Sequence, residues 1–373
     1  MHAILYKLRP LFVLLPVAAS MASMQGCNSE TTQAETEAAA LEHGAENGLL
    51  RTVPFLTLRN KTGSDEAKEF FGGERDTLHA GICELARTPI NSLQAIAKKA
   101  PFHIPDEIVK LDAIRELSTG DFWQRLKTTA GGQAPVLYLH GFYISFERGC
   151  RRALTVKESL ELEGRFALFS WPSDGVLTNY THDEADLYWS VYPLREVLAD
   201  MIDRFGTGNI NIVAHSLGTR GVMLALVLMA QVHQDDKPLI NQVVLIAPDI
   251  DAGIFKQYLP LIRPLVRNMT VYVSSKDSPL ALSQQVHGYP RLGEAGEHLE
   301  NLRGIEIIDI SDIPMRAPSG HLYHLNQSIM TEDLDQLINE NKPAAQRRNL
   351  KQSGENQWRL QERTIAERTD SEK

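Results

Sequence analysis

The chain has 373 residues, 43% of them hydrophobic, and sets 38 Lys and Arg against 47 Asp and Glu for a net charge of −9. That apolar fraction excludes a wholly disordered polymer, and the acidic balance argues against nucleic acid as a partner, whose phosphates demand a basic face. Three cysteines are too few for a disulfide scaffold or a four-thiolate zinc module.

In chain order, Lys7 and Arg9 precede an apolar run from Leu11 to Ala22. The run is too short for a hydrocarbon core of ~30 Å, and basic, then apolar, then small residues form the pattern of an export signal. Met24-Gln25-Gly26-Cys27 resembles a lipobox, in which a cysteine after a small residue is lipidated and becomes the new N-terminus. Leu is usual where Met24 stands and a small residue where Gln25 stands, so ordinary cleavage near Ala22 or Gly26 is the alternative. Residues 1–26 are thus expected to be a lipoprotein-type signal and Cys27 a membrane anchor, with the protein exported to the cell envelope. Asn28 after the cysteine points to the outer membrane or periplasm. Removing residues 1–26 takes away two bases and no acids, leaving a net charge of −11. Residues 27–51 are acidic and poor in large apolar side chains, as expected of a tether. At the far end, residues 341–373 are dominated by charge, and Leu350, Trp358, Leu360 and Ile365 are scattered, so a solvated tail is expected.

Between these flanks, Thr52–Leu58 and Leu78–Ala86 read as strands and lead into a stretch broken by Pro89, Pro101 and Pro105. Short apolar runs then recur at Pro135–Leu139, Arg165–Trp171, Asn209–Ala214, Gln242–Ala247, Met269–Ser274 and Ile305–Ile310. Their spacers accommodate helical crossovers, which predicts an α/β domain over 52–340 with a mostly parallel, doubly wound sheet. Several runs are apolar throughout, as in strands covered on both faces. Val222–Val232 is apolar almost all round and predicts a helix buried against that sheet.

In such sheets the chemistry lies beyond the carboxyl ends of the strands. Ala214-His215-Ser216-Leu217-Gly218 falls there, between a strand and the apolar helix, and is the nucleophile-elbow pattern with Ala in the first position. A serine nucleophile needs a base, and the base needs an acid that holds its tautomer. Downstream strand exits carry Asp277 and His321 in the required chain order. His324, His287 and His298 compete for the base, while His215 is expected to point away; Gly320 favours His321 by letting the loop approach closely. Asp249 competes for the acid, but it or Asp251 also reads as a helix cap, whereas Asp277 has no evident structural task. Two backbone amides would bind a developing oxyanion: that of Leu217, and that of Phe142 (or Tyr143) after His140-Gly141.

Taken in order, His140-Gly141-Phe142, Ser145-Phe146, Phe169 to Gly175 (FSWPSDG), His215 to Arg220 (HSLGTR), Ser275-Lys276-Asp277 with Leu280 to Ser283, and Gly320 to Tyr323 resemble the bacterial α/β-hydrolase family catalogued as domain of unknown function nine hundred. The resemblance covers about Thr52 to Asn339 and implies an α/β-hydrolase fold with a catalytic triad matched at Ser216, Asp277 and His321, often on exported or lipid-anchored proteins. It supplies no substrate. The family often has Asn where this chain has Tyr143.

No metalloprotease, dinucleotide or P-loop motif is present, so no cofactor or metal is expected. His182-Asp183-Glu184 could ligate a metal together with His321 and His324, but a solvated acidic helix start explains His182 to Asp186 more cheaply. Tyr180, Tyr188, Trp189 and Tyr192 are expected in the core or, more sharply, lining an acyl pocket. Cys83 and Cys150 remain as a pair in an oxidising compartment, where a disulfide is one outcome and two buried free thiols are the slightly favoured one. The reading that results is a serine hydrolase of the cell envelope acting on a small or lipid-like acyl substrate. The alternative is a non-catalytic binding or scaffold protein that keeps the fold.

Overall fold

Leu137 and Leu139 pack into one hydrophobic layer, and Val136 and Tyr138 into another, on the opposite side of the same strand. This period of two, with both sides apolar, is what a strand covered on both faces requires. The structure, a computed structural model, describes residues 50–89, 107–233, 237–314, 321 and 328–361. All belong to the unit Gly48–Lys373, the other unit of the chain being Met1–Asn47. The expected signal, Cys27 and nearly all of the tether, with Pro101, Pro105, Gly320, His324 and Ile365, lie outside the described residues.

Eleven strands among the described residues form one sheet. They are β1 (Leu50–Lys61), β2 (Phe71–Pro89), β3 (Glu107–Leu117), β4 (Val136–Leu139), β5 (Phe166–Ser170), β6 (Asn211–His215), β7 (Ile240–Ile246), β8 (Val266–Val273), β9 (Glu306–Asp309), β10 (Leu350–Gln352) and β11 (Gln357–Leu360). Their order across the sheet is β10-β11-β9-β8-β7-β6-β4-β5-β1-β2-β3. Pairing is parallel from β1 through β5, β4, β6, β7, β8 and β9 to β11, and antiparallel at β1–β2, β2–β3 and β10–β11. The chain leaves β4 toward β5 on one side and returns to β6 on the other, so the switch point of this α/β sheet lies at β4.

Seven α-helices are described: α1 (Thr119–Ala130), α2 (Phe146–Ser159), α3 (Tyr180–Phe205), α4 (Leu217–Ala230), α5 (Ala252–Ile262), α6 (Ser278–His287) and α7 (Ser328–Ile338). Residues of α1, α3, α4 and α5 share one hydrophobic cluster, and those of α2 and α7 the other. Helix α4 is buried on nearly all sides, as its sequence predicts. No helix among the described residues is long and apolar enough to cross a membrane.

Three expectations need correction. The segment read as a solvated tail rejoins the sheet, with β11 pairing in parallel with β9 and β10 folding back on β11. The buried Leu360 and the Arg347 guanidinium hold it there, Arg347 bonding Asp333, Glu306 and the Tyr272 hydroxyl. The domain therefore runs past residue 340 to at least Leu360. Strand β3 was hidden by its charges: Val109, Leu111 and Ala113 alternate with Lys110 and Asp112, a half-covered edge pattern rather than an apolar run. Finally, Cys83 of β2 and Cys150 of α2 form a disulfide, with Cα atoms 6.3 Å apart. The sheet places β2 under α2, a convergence that spacing along the chain does not reveal. The bond spans 67 residues, and restricting the unfolded chain over such a loop contributes about 4 kcal/mol.

Candidate active site

Between the last residue of β6 and the first of α4 the backbone turns in one step, and Ser216 takes φ 53° and ψ −126° there. A side-chain-bearing residue in that region costs about 1–3 kcal/mol, so its surroundings must hold it. The Ser216 amide donates to the Ile246 carbonyl (2.9 Å), and its own carbonyl accepts from the Thr219 hydroxyl (2.6 Å) and the Asp249 amide (3.3 Å). Two glycines make the turn sterically feasible. A methyl group on Gly141 would lie 2.7 Å from the Ser216 Cβ, and one on Gly218 would collide with the His140 carbonyl oxygen.

His321 presents Nδ1 to both oxygens of Asp277, at 2.9 and 2.7 Å. The Asp277 side chain is fully buried at the exit of β8. It also caps α6 by accepting the Leu280 amide at 3.1 Å, so it has a structural task that the sequence reading did not give it. The cap of α5 is Asp251, not Asp249. His215 does not point away. Its ring lies 4.7 Å from that of His321, and its Nε2 sits 3.1 Å from the His321 carbonyl oxygen. His287 is engaged by Ser283 and Glu184, and His298 by the Arg291 carbonyl.

On the neighbouring strand exit, the Tyr143 amide donates to Asp183 at 3.1 Å. Of the two amides considered there, that of Tyr143 is thus engaged, whereas among the described residues nothing accepts from that of Phe142. Asp183 and Asp186 are buried, which corrects the solvated helix start. Asp174, His182 and Asp183 do come together, but Asp183 accepts the Ser173 hydroxyl and the Asp174 amide, and Asp174 accepts Val176 and Asn179 donors. Tyr188, Trp189 and Tyr192 are exposed rather than in the core, while Tyr180 packs edge-on against Phe142 with ring centroids 5.1 Å apart. Arg59, fully buried at the end of β1, bonds to the loop after β4 and was missed because a lone arginine carries no motif.

Behind the elbow lies a second buried polar cluster. Asp249 accepts the Tyr180 hydroxyl (2.6 Å), the Ser283 hydroxyl (2.7 Å) and Arg291 Nε (2.8 Å). Arg220, four residues after Ser216, donates twice to the Asp249 carbonyl and also pairs with Glu184. The cluster ties α3, α4, α6 and the β7 exit together around the elbow.

Residues 116–340, more than half of the chain, match the family model described as alpha/beta hydrolase of unknown function (DUF900). No curated protein matches the chain. Among solved structures, it is similar to an uncharacterized protein from Bacillus cereus ATCC 10987, with 12% identity and a TM-score of 0.35 over 57% of this chain and 61% of that one. It thus spans less than two thirds of that protein. It is also similar to a hyperthermophilic esterase from the archaeon Pyrobaculum calidifontis (11% identity, TM-score 0.34, 83% of this chain and 92% of that one). A third is Est1E from Butyrivibrio proteoclasticus (16% identity, TM-score 0.35, 56% and 90%). At these identities and TM-scores the three likenesses carry no argument about the chain.

Burial by itself would raise the Asp249 carboxyl, but Arg220, Arg291 and the two hydroxyl donors together outweigh it and hold the group below the usual range. A carboxyl lowered on folding contributes stability above its unfolded pKa, about 4 for Asp, and loses it as pH falls through the folded value. Asp249→Asn removes the charge facing the buried Arg291 and is expected to cost about 3–5 kcal/mol near neutral pH. Urea unfolding as a function of pH checks this: the gap between variant and wild type should hold down to about pH 4 and close below it. A gap that is the same at all pH values would contradict the assignment.

Proposed function

The chain belongs to the family of alpha/beta hydrolases of unknown function, and on that premise we propose that it is a serine hydrolase cleaving an ester, thioester or amide. The observation that carries this reading is the grip of both Asp277 oxygens on His321 Nδ1 beside the strained Ser216 turn. With Nδ1 engaged, Nε2 is the nitrogen that takes the Ser216 proton as Oγ attacks the acyl carbonyl. The carbonyl oxygen becomes an oxyanion between the Phe142 and Leu217 amides, the second lying at a helix start whose dipole favours negative charge. Collapse expels the alcohol, thiol or amine, which takes the proton back from His321. Water, activated by the same imidazole, then releases the acid from the acyl-Ser216 ester. No cofactor enters these steps.

The substrate is an acyl compound, small or lipid-like, and the protein acts in the cell envelope. Support for export comes from the Lys7–Ala22 signal pattern and from the Cys83–Cys150 bond, since disulfides persist in oxidising compartments. Cys27, followed by Asn28, would carry the lipid that anchors the domain, by way of the tether, to the outer membrane.

Three experiments test this. A fluorophosphonate probe should label Ser216, and Asp277→Asn should slow ester turnover by about 10⁴-fold, the cost of the wrong histidine tautomer. An unlabelled, folded protein would favour the non-catalytic scaffold instead. For the anchor, wild-type protein should incorporate labelled palmitate and sediment with membranes, and Cys27→Ser should do neither. Soluble, unlabelled wild type would exclude lipidation.

A further inference from the structure

We propose that Asp183 and Arg59 are positioning residues that clamp the His140–Ile144 loop so that the Phe142 amide faces the substrate oxygen. The proposal rests on Ser216 being the nucleophile and explains what the Trp-Pro-Ser-Asp segment is for.

The loop has little intrinsic reason to keep its shape. Tyr143 sits at φ 63°, a left-handed conformation that a large side chain rarely adopts. Two sets of bonds hold it from opposite sides. On the first side, Asp183 Oδ2 accepts the Tyr143 amide (3.1 Å) and the Ser173 hydroxyl, and the Ser173 oxygen in turn accepts the Ile144 amide at 3.0 Å. One carboxylate and one hydroxyl thus fix the two amides that follow Phe142. On the second side, the Arg59 guanidinium donates to the carbonyls of Ile144 (2.6 Å), Ser173 (2.6 Å) and Gly72 (3.0 Å).

The fork reaches the start of the loop as well. Arg59 Nε donates to the Ser170 hydroxyl (2.9 Å), which lies 3.1 Å from His140 Nε2. His140 Nδ1 lies 2.9 Å from the Gly141 carbonyl, and Trp171 Nε1 donates to the His140 carbonyl at 3.0 Å. The Gly141 carbonyl calls for a proton on Nδ1, and in a neutral imidazole that leaves Nε2 bare to accept from the Ser170 hydroxyl. Burial, foremost, and the nearby Arg59 charge hold His140 in that neutral form. None of these bonds takes the Phe142 amide, which has no acceptor among the described residues and so remains for the oxyanion. Trp171 and Ser173 brace the loop, and nothing in this arrangement asks them to touch substrate.

An oxyanion donor works only when placed to within about 0.5 Å, and losing one costs about 10²–10³ in kcat. The test uses Ser173→Ala, Asp183→Asn and Arg59→Lys in the full chain, the last keeping charge without the fork. Asp333→Asn, in the buried Arg347 cluster, is the control for stability alone. Turnover of p-nitrophenyl acetate per folded molecule should fall about 10–100-fold in the three variants, with KM within a few-fold of wild type. Asp333→Asn should lower Tm and leave kcat unchanged. Amide hydrogen exchange at Tyr143 and Ile144 is the second readout, slow in wild type and fast in Ser173→Ala. Should Asp183→Asn fail to fold, the loss of a single hydroxyl in Ser173→Ala still decides the matter. Unchanged kcat in Ser173→Ala and Arg59→Lys, or unchanged exchange in Ser173→Ala, would overturn the clamp. A wild type that takes no fluorophosphonate would remove the nucleophile reading, and the exchange data would then judge the clamp by themselves.

Discussion

At the switch point of the sheet, β4 and β6 run side by side, and beyond their carboxyl ends two pieces of backbone press together. Gly218 lies against the His140 carbonyl, and Gly141 against the Ser216 side chain. Neither position has room for a methyl group. This contact holds the Ser216 turn against the start of the loop that carries Phe142. The rest of the site is arranged around that fixed point: Asp277 and His321 from strands further along the sheet, and the Arg59–Asp183 bonds from the other side.

Buried charge is the cost of holding such a geometry, and three clusters carry it. Arg59 and Asp183 brace the loop after β4, Asp249 with Arg220 and Arg291 braces the elbow, and Arg347 with Asp333 and Glu306 fastens the last strands to the sheet. Replacing a buried ion pair with apolar residues is often neutral or stabilising, whereas removing one partner is costly. Their value here is therefore positional. Arg59 shows the strain of this arrangement, since burial, only partly offset by Asp183, Asp174 and Asp186, pulls its guanidinium down to about 9.

The central strands and the elbow were legible because both are local. An apolar run of five to seven residues declares a covered strand, and Ala214 to Gly218 declares a tight strand-to-helix turn with its serine. The pairing of Asp277 with His321 followed from strand exits and chain order. What escaped the sequence depends on residues brought together from afar. The Cys83–Cys150 bond requires knowing that β2 lies under α2, and Arg59 joins the site across more than eighty residues. Strands β10 and β11 escaped for another reason: they are short, β10 is the edge of the sheet, and their exposed Lys351 and Arg359 look in sequence the same as a solvated tail. The same ambiguity affected Asp183 and Asp186, which resemble a helix start in water until their partners are seen.

Ser216, His321 and the Phe142 and Leu217 amides are proposed to form one catalytic unit. A crystal structure of the protein after reaction with a fluorophosphonate tests it most directly. The account predicts phosphorus on Ser216 Oγ, one phosphonyl oxygen within about 2.7–3.1 Å of both amide nitrogens, and His321 Nε2 turned toward the serine oxygen. Phosphorus on another residue, or a phosphonyl oxygen turned away from those amides, would contradict it.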